Sequence, residues 1–216
     1  MEIWQFFMQN WQQTLELTRQ HAWIVSISVI IAMATGVPIG IWITFNEEAA
    51  ETILYIAGII MTIPSIALFG IMIPFLSIFG HGIGTVPAVV ALVLYSQLPI
   101  IRNTYAAIKS VDPNIIDAGI GMGMTRWQVL GKVQLPMALS VIFAGLRVAV
   151  VMSIGIGAIA AYIGAGGLGR FIFMGINQTY GAMIISGAIA VSLLAIAADI
   201  LFGYIENRLV SKGLRS

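Results

Sequence analysis

Three uninterrupted apolar blocks limit what this chain can become. Ala22 to Phe45 contains no Asp, Glu, Lys or Arg, and Ile53 to Ile101 contains none either, broken only by His81. Pro136 to Ile205 carries just Arg147, Arg170 and Asp199. A helix needs about 20 apolar residues to cross the hydrocarbon core, so the second and third blocks each hold two spans. The pattern predicts an all-α membrane protein with five transmembrane helices, near 22–45, 53–79, 84–101, 137–163 and 182–205. Only 9% of the 216 residues are charged, against roughly a quarter in an average soluble domain. A soluble globule is excluded.

Other classes fall on composition. Net charge is +1 with no basic cluster, so a nucleic-acid partner is not expected. No cysteine is present, which removes thiol and Cys-zinc chemistry. Only His21 and His81 could serve as imidazole bases, and no G-x-S-x-G, H-E-x-x-H or Walker loop occurs. A membrane enzyme therefore lacks its catalytic set. Gly164 to Gly169 reads GAGGLG, a literal G-x-G-x-x-G, but its flanks are spans where a nucleotide fold needs a strand and a helix. It is expected to be a tight break ending span four. The N-terminus has Glu2 as its first charge and lacks the basic region of a signal peptide. Trp4, Phe7, Met8, Trp11 and Leu15 follow helical spacing, predicting an interfacial amphipathic segment over 1–21.

Basic residues set the orientation, because cytoplasmic segments collect Lys and Arg. The segment 102–136 holds Arg102, Lys109, Arg126 and Lys132, and the tail 206–216 holds Arg208, Lys212 and Arg215. In a five-span chain these share a side, and the other side receives only Arg19 and Arg170. The N-terminus is expected outside and the C-terminus in the cytoplasm. The loop Asn46 to Thr52, with three glutamates and no base, gives no support.

The polar segment 102–136 is more organised than a linker requires. Asp112-Pro113 is a helix start, and Gly123 can take the left-handed conformation that stops a helix. Thr125 with Gln128 forms a capping box for a second short helix, expected to end near Leu135 because Pro136 disfavours helix before it. Gly119, Gly121 and Gly123 leave the first helix nearly bare, as if something packs against its backbone. Asp117-Ala118-Gly119, three residues, Gly123, nine residues, Val133, Gln134 and Leu135-Pro136 resembles the E-A-A-x3-G-x9-I-x-L-P loop of type I ABC importer permeases. Asp, Gly and Val stand here for Glu, Ala and Ile.

That resemblance covers roughly residues 22–205. It implies that the segment is a coupling helix docking into a groove on an ATP-hydrolysing subunit. It further implies two such ATPases, a second permease copy or paralogue, and an extracytoplasmic binding protein. ATP and Mg would belong to the partner, with no cofactor in this chain. The stretches LPIIRNTYAAIKSVDPNIIDAGIGMGMT, AGLRVAVV and IGAGGLGRFI look most like permeases for glycine betaine, choline and carnitine. Methionine or other amino-acid importers are the alternative, and a secondary transporter would instead show inverted repeats and paired mid-membrane charges. Pro64, Gly70 and Pro74 in span two, and Gly145, Gly155 and Gly157 in span four, are bending points or close-packing sites. Met61, Met72 and Met122 are read as apolar filler. Arg147 and Asp199, at similar depths in adjacent spans, are expected to pair, to meet a shared polar path, or to snorkel separately to the interface.

Overall fold

A computed structural model describes residues 2–209. The tail residues Lys212 and Arg215 lie outside the described residues. Ten α-helices follow in order: α1 (Glu2–Gln9), α2 (Trp11–Trp42), α3 (Glu47–Thr62), α4 (Ser65–Ser77), α5 (Thr85–Lys109), α6 (Pro113–Gly121), α7 (Arg126–Val129), α8 (Leu135–Ile159), α9 (Gly169–Asn177) and α10 (Gly181–Leu209). No strand occurs among the described residues.

Helices α2, α5 and α8 form the centre. On α2 the buried positions include Leu17, His21, Ile24, Ser28, Ala32, Gly36 and Gly40, a stripe recurring every three or four residues. Two of its glycines allow close approach to α5. A Cβ at Gly36 would lie 2.9 Å from Ile100 Cγ2, and one at Gly40 would lie 2.6 Å from Thr104 Cβ. Between apolar helices in lipid, such contact supplies the attraction that water would supply elsewhere. Gly145 does the same for α8, where a Cβ would meet Asn103 at 2.5 Å. Gly157 faces His21 at 3.1 Å, whereas Gly155 faces open space.

Three sequence expectations change. Residues 1–21 do not form one flat helix: the chain breaks at Asn10, and the first long helix begins at Trp11. Phe6 is buried edge-on against Phe171, centroids 5.2 Å apart, while Trp4, Met8, Trp11 and Leu15 stay exposed. The docked ring holds α1 against the α9–α10 end.

The second span, expected over 53–79, is two helices bent by 101° between Thr62 and Ser65. Pro64 causes the break. It lacks an N–H and forces the preceding residue out of helix, and Ile63 is extended at φ −69°, ψ 127°. The Ile63 carbonyl freed there accepts a hydrogen bond from the Tyr95 hydroxyl on α5. Pro74, by contrast, sits inside α4 without ending it. Among the described residues, four helices are long and apolar enough to cross a membrane, and the bent pair makes the fifth span if counted as one.

The third difference concerns Pro136, which does not end the helix before it but lies inside a continuous helical run from Arg126 to Ile163. Leu130–Gln134 is a π-helical turn in which the Leu135 N–H reaches back to the Leu130 carbonyl. The extra residue per turn shifts the register so that Pro136 falls in the first turn of α8, where its missing N–H costs nothing. The helix therefore runs on from α7 into the membrane.

Candidate functional site

Within the 102–136 segment, residues 102–109 finish α5 and the following residues fold into a projection of two short helices, α6 and α7. Beyond α5, Val111 is buried as an anchor. Asp112 Oδ1 accepts from the Asn114 N–H at 2.8 Å, and Pro113 occupies the first turn of α6. Gly123 closes that helix at φ +83°. Its N–H donates to the Ile120 carbonyl at 2.9 Å, and the Met124 N–H donates to Gly119 at 3.1 Å, the bonding pattern of a Schellman stop. Thr125 then restarts the chain: its N–H donates to Gln128 Oε1 at 2.8 Å, and its Oγ1 accepts from the Gln128 N–H at 3.3 Å. Thr125→Ala removes one half of that reciprocal cap and should destabilise the projection by about 1 kcal/mol. A few-fold fall in transport with unchanged membrane abundance would show it.

The three glycines of α6 and its corner divide in role. Gly119 is buried, and a Cβ there would lie 3.3 Å from Met124 Sδ and 3.4 Å from Val129 Cγ2. The backbone there is thus packed from within the segment. Gly121 and Gly123 face open space. Around them Asp117 and Ala118 are exposed, together with Ile120, Met122 at 78% and Trp127 at 72%. Val133 lies half-buried in the π turn, and Leu135 and Pro136 open α8. Leu135 packs onto the core around Ile108, Leu130 and Ala138.

The short connection after α2 supports the projection from beneath. The Phe45 ring lies 5.3 Å from that of Trp127. Glu47 pairs with Lys109 at the end of α5. One of the three glutamates of the 46–52 loop is therefore paired with a base at the projection's own end.

Arg147 on α8 and Asp199 on α10 meet in a two-bonded contact, Nε to Oδ1 at 3.0 Å and Nη2 to Oδ2 at 2.8 Å. The sequence reading missed a third member. Glu206, about two turns beyond Asp199 on the same face of α10, brings Oε2 within 3.5 Å of Arg147 Nη1. Its Oε1 accepts from the Ser140 hydroxyl at 3.3 Å. A charge at the centre of a lone span costs about 3 kcal/mol on insertion scales, and bidentate pairing offsets part of that.

At the opposite end, the GAGGLG stretch is a backbone break with Gly164, Gly166 and Gly167 at φ +81°, +84° and +82°. It is tied to α2 by two side chains. Gln20 Oε1 accepts from the Gly167 N–H and His21 Nδ1 accepts from the Leu168 N–H, both at 3.3 Å. With Nδ1 accepting, the His21 proton sits on Nε2, which donates to the Ile154 carbonyl at 3.0 Å. Buried His21 is therefore a structural tie between α2, α8 and the break. Its position 147 residues before the loop left no local signal in the sequence.

The comparisons with known proteins give this bundle of apolar spans, with its one capped, exposed two-helix projection, its class: permease subunits of type I ABC importers. The chain belongs to the family of binding-protein-dependent transport system inner membrane components, whose family model matches residues 36–211. It is 48% identical over the full length of both chains to the osmoprotectant import permease protein OsmW of Salmonella typhimurium. It is 42% identical to the carnitine transport permease protein OpuCB of Listeria monocytogenes, covering 97% of this chain and 94% of that one. Among solved structures, a chain of the MetNI methionine ABC transporter in an inward-facing conformation superposes with a TM-score of 0.80 at 25% identity. That match covers 89% of this chain and 94% of the other. The chain is thus a transport permease subunit of the inner membrane, crossing it several times.

Proposed function

We propose that this permease serves an ATP-driven importer of quaternary-ammonium osmoprotectants such as glycine betaine, choline or carnitine. The observation carrying the solute class is identity of 48% and 42% along nearly the whole chain to osmoprotectant and carnitine permeases, against 25% to the methionine system. The alternative, an amino-acid importer, has only that shared fold in its favour.

In this reading the exposed corner from Asp117 to Gly123, with Met122 and Trp127 beside it, seats in a groove of an ATP-binding cassette subunit. Two such subunits hydrolyse Mg-ATP, a second permease copy or paralogue completes the passage, and an extracytoplasmic binding protein delivers solute. The projection faces the cytoplasm, supported by Arg102, Lys109, Arg126 and Lys132 at that end. The N-terminus lies outside.

Reconstitution of the whole complex tests this. ATP-dependent uptake of at least one of labelled glycine betaine, choline and carnitine is expected, with methionine left outside. Uptake of methionine alone would overturn the solute class.

A further inference from the structure

The Arg147–Asp199–Glu206 cluster is not sealed inside the protein. The Arg147 and Asp199 side chains are 36% and 41% exposed, and Glu206 is 20% exposed. Arg147 and Asp199 border an open groove of about 570 Å³, within the usual range for small-molecule sites. Its walls are Ala144, Arg147, Val148, Val151, Met152 and Asp199. In membrane proteins, charged side chains within spans face a bundle interior or a wet passage rather than acyl chains.

The neighbouring surfaces differ in the same sense. Along α10, Leu193, Ile196 and Ile200 are exposed and large, as lipid contact favours. Along α8, the exposed positions beside Arg147 are Val141, Ala144, Val148, Val151 and Gly155, none larger than valine. A wall of small side chains leaves room for something to pass.

We propose that this groove is a solute-contacting station on the translocation path, holding a quaternary ammonium group against the Asp199 carboxylate. The inference rests on the quaternary-ammonium reading above. Such a head is a cation without N–H donors, so it cannot be held by hydrogen bonds to the head itself. It suits a carboxylate flanked by apolar walls, here Val148, Val151 and Met152. With two carboxylates against one guanidinium, the cluster keeps a net negative charge. Arg147 is bonded closely to Asp199 through Nε and one Nη, leaving the second Nη only a 3.5 Å contact with Glu206.

The test uses the reconstituted complex of permease, ATPase and binding protein, with ATP-driven uptake of labelled choline and glycine betaine. If wild type moves none of choline, glycine betaine and carnitine, the quaternary-ammonium reading fails and this inference fails with it. With wild-type uptake established, Asp199→Asn should lower choline uptake about tenfold, and glycine betaine uptake by a clearly smaller factor, because a bare cation depends more on the lost charge. Asp199→Glu should restore much of the choline uptake. Equal loss for both solutes would mean that the pair only ties α8 to α10, and would overturn the proposal.

Val148→Phe fills the groove without changing any atom of the ion pair, so it serves where Asp199→Asn does not assemble. It should reduce uptake of whichever solute wild type moves, in a complex that still elutes intact. Wild-type uptake by that variant would equally overturn the proposal.

Discussion

A Gly123→Val, Asp117→Lys double variant should reach the membrane at normal abundance and yet lose ATP-driven uptake. Gly123 sits at φ +83° with nothing within 4 Å of where a Cβ would stand. The substitution therefore meets no packing clash, and its cost is backbone strain. A side chain in the left-handed region costs roughly 1–2 kcal/mol, and more for a β-branched residue. The corner relieves that strain by opening, which breaks the bonds from Gly123 to Ile120 and from Met124 to Gly119 and moves the exposed face. Asp117→Lys adds a charge reversal on that face. Since 1.4 kcal/mol is a factor of ten, uptake should fall at least about tenfold, with co-purification of the ATPase weakened or its hydrolysis uncoupled. Wild-type assembly and transport by a well-expressed double variant would refute a docking role for the corner.

Gly169→Val should act at the other end and by another mechanism: loss of the folded chain. A Cβ at Gly169 would lie 1.8 Å from the Ala158 carbonyl oxygen and 2.6 Å from its carbon. Those are backbone atoms near the end of α8, so no rotamer change relieves the overlap. Overpacking of this kind costs about 3 kcal/mol or more, because α9 must part from α8 and the ties of Gln20 and His21 to the break are pulled with it. The expected result is little monodisperse protein in detergent and a strongly lowered Tm. Gly155→Ala is the control. It lies on the same α8 with open space at its Cβ position and should be neutral or slightly stabilising.

What the sequence showed depended on whether the deciding interaction was local. Capping by Asp112, the Gly123 stop and the Thr125–Gln128 box each lie within a few residues, and the spacing displays them. Pro64 was legible as a bending point in span two, but a 101° turn also reflects how α4 packs on the α5 core through Leu68 and Phe69. The π turn at Leu130–Gln134 had no visible signature, so Pro136 read as a stop where the helix in fact continues through it. Arg147 and Asp199 stood out because apolar neighbours isolate them. Glu206 was overlooked because it falls at a span end, where acidic residues are ordinary. Gly119 was recognised as a close-approach site, but its partners Met124 and Val129 belong to the same segment. The burial of Phe6 against Phe171 joins residues far apart in the sequence and left no periodic trace.

The chain contains no cysteine, so a single cysteine at Met122 would be its only thiol. Met122 is the most exposed residue of the projection's apolar set, and it lies directly beside the Gly123 corner. In the assembled, transport-active complex, Met122→Cys treated with a short thiol-directed crosslinker should yield a covalent adduct with the ATP-binding cassette subunit. A cysteine at Gly80, exposed in the turn after α4, should yield none. Adduct formation at both positions alike, or none at Met122 in a complex that still transports, would contradict the assignment of 117–136 as the coupling element.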